Sequence, residues 1–298
     1  MGADMTNTSS RLQVSIREGS RAGSLNISEA SLPGDLFEFR TLEGVLDGDK
    51  DFGLFAVHLT PSEWRVNNNT YSYSWRYPTG IVVDFLAVNE SDRLAITYTV
   101  ANKGSSALER VHIHPCLPTT EAPSFRPEKD PRSFNDAPVT FYDRREPERL
   151  PCEETYFALY HRIKVWRDET AIRFSETEYG RSEVHLAVMK EGEPPINWAW
   201  WNNTPEYFDE PIIVVESNAG DAFIALGFER AIWASSNVGD SRACFHLFPS
   251  FGRIEAGQSS TTSGALYLGR GAAEEVRARF LEEFPQAVSV TQPSVHPK

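Results

Sequence analysis

Short runs of alternating apolar and polar residues recur along this chain, and they predict strands. Leu12, Val14 and Ile16 alternate with Gln13, Ser15 and Arg17. Leu36, Phe37 and Phe39 follow a Pro33-Gly34-Asp35 turn, and Phe55, Val57 and Leu59 share one face of a strand over 52–59. The run Tyr71-Ser72-Tyr73-Ser74-Trp75-Arg76-Tyr77 puts four aromatics on one strand face. Two readings stand for it: a half-buried strand packing its rings in a core, or a stacking platform for sugar rings formed by Tyr73 and Trp75.

Strands over 81–88 and 94–100 flank a tight Asn89-Glu90-Ser91-Asp92 turn and make a hairpin. Val111, Ile113 and Cys116 continue inward, while His112 and His114 share the opposite face. From Leu117 to Glu153 the pattern breaks into a long Pro-rich loop, with one strand-like piece at 139–142. A loop of that length is a candidate cover for the histidines that precede it. Further strands are expected over 156–166, 171–177, 183–189, 212–216, 222–228, 232–234, 244–248 and 262–268. Pro249-Ser250-Phe251-Gly252 reads as a turn. Only 272–284 reads as a helix, with Val276, Phe280, Leu281 and Phe284 on one side, placed to cap an open sheet edge.

About fifteen strands and one short C-terminal helix predict an all-β protein, a large antiparallel β-sandwich. No fixed-period repeat points to a propeller or β-helix. A single domain is expected over 11–284, between a disordered terminus at 1–10 and a fraying tail at 285–298.

Composition then narrows the function. The net charge of −13, without a Lys/Arg run, leaves no electrostatic footprint for nucleic acid or an anionic membrane. No apolar run approaches the roughly 20 residues that span a bilayer, and no signal-peptide pattern is visible, so a cytoplasmic protein is expected. Three cysteines, Cys116, Cys152 and Cys244, with no CxxC spacing, read as buried thiols rather than a disulfide framework.

No P-loop, Gly-x-Ser-x-Gly, His-Glu-x-x-His or dinucleotide fingerprint is present. Chemistry must come from looser groupings. His112 and His114, two of seven histidines, stand about 7 Å apart at Cα on one strand face. That arrangement suits a shared divalent metal acting as Lewis acid, or acid/base work, or no function at all. His246, in a late strand, and His161, on an apolar face, are the other candidate acid/base groups. Trp198, Trp200 and Trp201 crowd one loop with Asn202 beside them, a candidate saccharide-binding wall. Arg126 and Arg144 could hold a sugar carboxylate.

The segment from Arg93 to Gly104, with Tyr98-Thr99-Val100-Ala101-Asn102, then Val111-His112-Ile113-His114-Pro115, resembles the galactose mutarotase-like group. Ile254-Glu255-Ala256-Gly257-Gln258 followed by Leu266-Tyr267-Leu268 is similar to that group's last turn and strand. The resemblance covers about a quarter of the chain. It implies a supersandwich of antiparallel strands, a carbohydrate ligand, and His114 at the position of the group's first histidine. Cys116-Leu117-Pro118 stands where aldose epimerases have an aromatic-Asn-Leu sequence. Phe245-His246-Leu247-Phe248 occupies the region of their catalytic glutamate. The leading expectation is a sugar epimerase or lyase using His114 with His246 or His161. The rival is a non-catalytic carbohydrate-binding or structural sandwich.

Overall fold

A computed structural model describes residues 12–19, 23–47, 50–51, 63–126, 162–167, 169–173, 202–203, 208, 210–237 and 244–289. The strands in chain order are β1 (Leu12–Ile16), β2 (Ser24–Glu29), β3 (Phe37–Asp47), β4 (Lys50–Asp51), β5 (Arg65–Asn67), β6 (Thr70–Arg76), β7 (Ile81–Asn89), β8 (Leu94–Asn102) and β9 (Leu108–Pro118). They continue as β10 (Ile163–Arg167), β11 (Thr170–Arg173), β12 (Asn202–Asn203), β13 (Glu210–Glu216), β14 (Ala222–Phe228), β15 (Arg230–Asn237), β16 (Cys244–Ile254), β17 (Ser259–Arg270) and β18 (Val288–Ser289). The one helix among the described residues, α1 (Ala273–Glu283), precedes the last strand.

Among the described residues these form two nine-stranded sheets. The first runs β1-β2-β3-β9-β16-β15-β12, with β4 on β3 and β18 on β15. The second runs β11-β10-β13-β14-β17-β8-β7-β6-β5. Apart from β18 on β15, every pairing is antiparallel. The expected all-β sandwich with one C-terminal helix is therefore what the chain forms. Among the described residues no helix is long and apolar enough to cross a bilayer.

The period of two along each strand builds the core. Phe37, Phe39, Val45, Val111, Ile113, Leu117, Phe245 and Leu247 face inward from the first sheet. Tyr73, Trp75, Val83, Phe85, Ile96, Tyr98, Ile224 and Leu266 meet them from the second. Burial of each such side chain stabilises the fold by roughly 1.5–3 kcal/mol before entropy is counted.

The helix lies elsewhere than expected. It covers the outer face of the second sheet rather than an edge, packing Ala273, Val276 and Phe280 on Trp166, Ile212, Val214, Ala225, Ala265 and Tyr267. Those residues are alternate positions of β10, β13, β14 and β17, which are apolar on both faces, so that sheet needs a second cover. Gly227 makes the seat: a Cβ there would stand 2.4 Å from the Phe280 ring. Gly264 is tighter, with the Gly227 carbonyl oxygen 2.2 Å from where its Cβ would be.

The 249–252 turn is also corrected. β16 runs on through Pro249 to Ile254. Pro249 sits where the β15–β16 register shifts, a break that tolerates a missing N–H. The strands expected over 52–59, 139–142 and 183–189 lie outside the described residues.

Candidate active site

The site is built on β9, between β3 and β16, on the face away from the second sheet. Val111, Ile113 and Leu117 point into the core, so His112, His114 and Cys116 point the other way together. Cys116 was expected inward with the apolar residues; the period of two, unbroken through Pro118, puts it beside the histidines instead.

The neighbouring strand supplies His246. Phe245 pairs with Leu117 and Ser250 with His112, so the same register sets His246 across from Cys116 and Phe248 across from His114. The His114 and Phe248 rings stack at 4.7 Å with 5° between their planes. His246 is then the diagonal neighbour of His114, and His114 Nε2 lies 2.7 Å from His246 Nδ1.

On the other side β3 contributes Glu43 through a bulge. Arg40 pairs with Cys116 and Gly44 with His114, four residues opposite two. In a regular strand Arg40 and Glu43, three apart, would face opposite ways. The bulge turns Glu43 back to the outer face, where Arg40 Nη1 donates to its Oε1 at 2.9 Å. Its other oxygen is 3.7 Å from His114 Nδ1. Arg40 is held in turn by Glu38, with Nε 3.1 Å from Glu38 Oε1.

The second sheet fastens that bulge. The Tyr73 hydroxyl bonds the Thr41 hydroxyl, and the Tyr98 hydroxyl donates to the Thr41 carbonyl. Thr41 Oγ1 also donates to the Gly23 carbonyl at 2.7 Å. Tyr73 and Trp75 are thus corrected from a sugar platform to core residues: they are 3% and 0% exposed, and a buried ring offers no face to a ligand.

Hydrogen bonding fixes the tautomers. His246 Nδ1 is 3.0 Å from the Pro115 carbonyl oxygen, which can only accept, so Nδ1 carries a proton. His114 Nε2 accepts from the same N–H, which leaves the His114 proton on Nδ1, toward Glu43. His246 Nε2 faces Cys244 Sγ at 3.2 Å. A hydrogen-bonded path therefore runs His114–His246–Cys244, with Glu43 Oε2 3.7 Å from His114 Nδ1 at its end.

The environment drives these groups apart. Burial pushes the Glu43 carboxyl above its ordinary value, against the pull of His246 and Arg40. Burial, then His246 and His112, holds His114 well below the usual histidine range. For His246 burial opposes the charge, but Cys244, Glu43 and the Pro115 carbonyl outweigh it and the net shift is upward. Burial and the neighbouring Cys244 push the Cys116 thiol well up. His114 and His246 are 0% and 2% exposed, so the cluster is closed to solvent as it stands.

Two sets of side chains bring metal-ligating atoms within 4.8 Å of one another: Cys116, Cys244 and His246, and Glu43, His114 and His246. His112, paired with His114 in the sequence reading, belongs to neither; its Nδ1 bonds the Arg110 carbonyl at 3.1 Å. Arg126 is exposed beside the end of β13, its carbonyl accepting from Asn218 at 3.2 Å. Asn202 lies in β12, paired with Ser236 at the far end of the first sheet's strand order. His161, Trp198, Trp200, Trp201 and Arg144 lie outside the described residues. Sequence reasoning missed Glu43 and did not join the cysteines to the histidines. A glutamate inside the otherwise apolar run from Leu42 to Leu46 was the available signal.

No protein-family model and no curated protein sequence matches this chain. Solved structures do. The chain aligns over 92% of its length with 38% of the α-N-acetylgalactosaminidase NagBb from Bifidobacterium bifidum, solved with GalNAc, at a TM-score of 0.51 and 11% identity. It aligns over 88% of its length with 94% of a galactose mutarotase-like protein from Clostridium acetobutylicum, at a TM-score of 0.47 and 9% identity. A galactose mutarotase related enzyme from Lactobacillus acidophilus matches 89% of this chain over 96% of its own, at a TM-score of 0.46 and 10% identity. The aligned lengths far exceed the quarter of the chain that carried the sequence resemblance. The NagBb match shows a shared fold.

Proposed function

We propose that the chain acts on a sugar or sugar acid by proton transfer at a carbon next to a carbonyl, with epimerisation as the outcome. The observation that carries this reading is the convergence of Glu43, His114 and His246 on one sheet face, with 2.7 Å between the imidazoles and 3.7 Å between His114 and the carboxylate. Glu43 is the acid and His114 the base, its Nε2 taking the proton once the contact to the His246 N–H at 2.7 Å opens. Burial favours that assignment, because it shifts the carboxyl up and the imidazole down, each toward the form its role needs. His246 holds His114 in one tautomer and is a positioning residue. The sugar class rests on the mutarotase-like sequence resemblance and on the occurrence of this fold in a protein solved with GalNAc.

The closed state of the cluster sets a condition: the face above β9 has to open to admit a substrate. The same closure favours the second reading, a sandwich that binds or assembles without catalysis. The two separate on turnover. Aldoses and uronic acids are incubated with the full chain and their epimers followed by NMR. Catalysed interconversion, lost in Glu43→Gln and His114→Ala variants that remain folded, supports the enzyme. Saccharide binding without interconversion across the panel supports the sandwich without catalysis.

A further inference from the structure

We infer that Cys116, Cys244 and His246 form a zinc(II) site, with both thiolates and His246 Nε2 as ligands. This goes beyond the sugar reading, which uses the opposite side of the same imidazole.

Four observations carry it. The donor set is the first: two thiolates and an imidazole suit zinc, and two thiolates neutralise its charge in a buried setting. The second is convergence, since the three ligand atoms lie within 4.8 Å of one another. A tetrahedral ion with Zn–S near 2.3 Å and Zn–N near 2.0–2.1 Å holds S and N about 3.6 Å apart. Cys244 Sγ and His246 Nε2 stand at 3.2 Å, so a shift of a few tenths of an ångström admits the ion. The third is the imidazole's other nitrogen. A metal-bound histidine ordinarily donates its remaining N–H to a carbonyl or carboxylate. His246 Nδ1 does this to the Pro115 carbonyl at 3.0 Å, which leaves Nε2 as an electron-pair donor aimed at the thiols.

The fourth is the scaffold. Cys116 and His246 are cross-strand partners on β9 and β16, and Cys244 is two residues from His246 on the same face. Three rigid strand positions hold the ligands, with no loop involved. Neither cysteine is in a disulfide. Three protein ligands leave a fourth position on the ion, the arrangement in which zinc binds water or a substrate oxygen. Glu43, with a carboxylate oxygen within 4.8 Å of a His246 ring nitrogen, is the nearby acidic group.

Metal analysis of the full chain, produced in zinc-supplemented medium and purified without chelator, tests this. The expected result is close to one zinc per chain. Replacement by cobalt(II) is expected to give thiolate-to-cobalt charge-transfer absorption and the visible bands of a tetrahedral ion. Two of the three thiols should resist a thiol reagent in the folded protein until a chelator is added. Cys116→Ser and Cys244→Ser should each weaken cobalt binding by more than the ~10–100-fold typical of an outer-shell change. Sub-stoichiometric zinc with no charge-transfer band on cobalt titration of the unaltered chain overturns the site. So does a Cys116–Cys244 disulfide in the non-reduced protein. None of these readouts involves a sugar, so failure of the catalytic reading and failure of the zinc site are separable.

Discussion

His114 and His246 are 132 positions apart in the chain, and their ring nitrogens meet at 2.7 Å. The contact follows from register alone: β9 and β16 pair antiparallel, and the two histidines fall on the same face one diagonal step apart. Because His246 holds a tautomer and His114 moves the proton, the two variants should differ in kind. His114→Ala is expected to cut kcat by about 10²–10⁴-fold. His246→Phe keeps the ring stack but loses the N–H, and is expected to lower kcat with KM nearly unchanged. Steady-state kinetics on the sugar identified by the epimer screen separates these outcomes; a rise in KM alone for His246→Phe would place that residue against substrate instead.

The Tyr73 hydroxyl reaches across the core to Thr41, inside the bulge that aims Glu43. Tyr73→Phe removes that bond and nothing of the ring. It should cost about 0.5–1.5 kcal/mol in chemical denaturation and lower turnover together with stability, while saccharide affinity stays the same. Were Tyr73 a sugar platform, affinity would be the quantity affected, through ring removal in Tyr73→Ala, and Tyr73→Phe would be silent.

Gly227 and Gly264 are the seat of the helix and its neighbour. Gly227→Ala sets a methyl group against the Phe280 ring, and an overpacking cost of about 1–3 kcal/mol is expected. Gly264→Ala meets backbone, the Gly227 carbonyl, which cannot rotate away, so the larger loss is expected there. Thermal melts of the two variants give the order; no loss in Gly227→Ala would mean that the helix does not seat as described, and no loss in Gly264→Ala would remove the close β14–β17 approach.

Glu283 ties the helix to the second sheet. Burial alone would raise its carboxyl, but the Tyr267 hydroxyl at 2.6 Å, Arg279 at 2.7 Å and Arg93 outweigh this and hold it below the ordinary 4.5. A lowered folded value means stability that is complete above pH 4.5 and is lost as pH falls through the folded value. The stability gap between the unaltered chain and Glu283→Gln should therefore be widest near neutral pH and close in acid. Denaturant titrations from pH 7 downward measure it; a gap that does not change with pH would remove the ion-pair account.

Most of the architecture was legible because alternation is a strong signal where a strand buries one face. Leu12–Ile16, the hairpin at Asn89–Asp92, Ile212–Glu216 and the helix all follow from it. The site was legible in half. His114 and His246 could be named, since histidine on a strand is conspicuous. Glu43 could not be placed, because a bulge breaks the parity from which facing is read. Cys116 was set with the core because its neighbours Ile113 and Leu117 are apolar, although strict parity from Val111 puts it with His114. Tyr73 and Trp75 admitted two readings because alternation gives the face of an aromatic stripe and not what covers it. Pro249 suggested a turn because a mid-sheet proline is rare; a register shift accommodates it.

The most direct test of the catalytic account is solvent isotope exchange. The full chain is incubated in D2O with a panel of aldoses and uronic acids, and each recovered sugar is weighed by mass spectrometry. The account predicts one added deuterium at a single sugar carbon, with exchange abolished in folded Glu43→Gln and His114→Ala. No exchange in any sugar, or exchange unchanged in both variants, would contradict it.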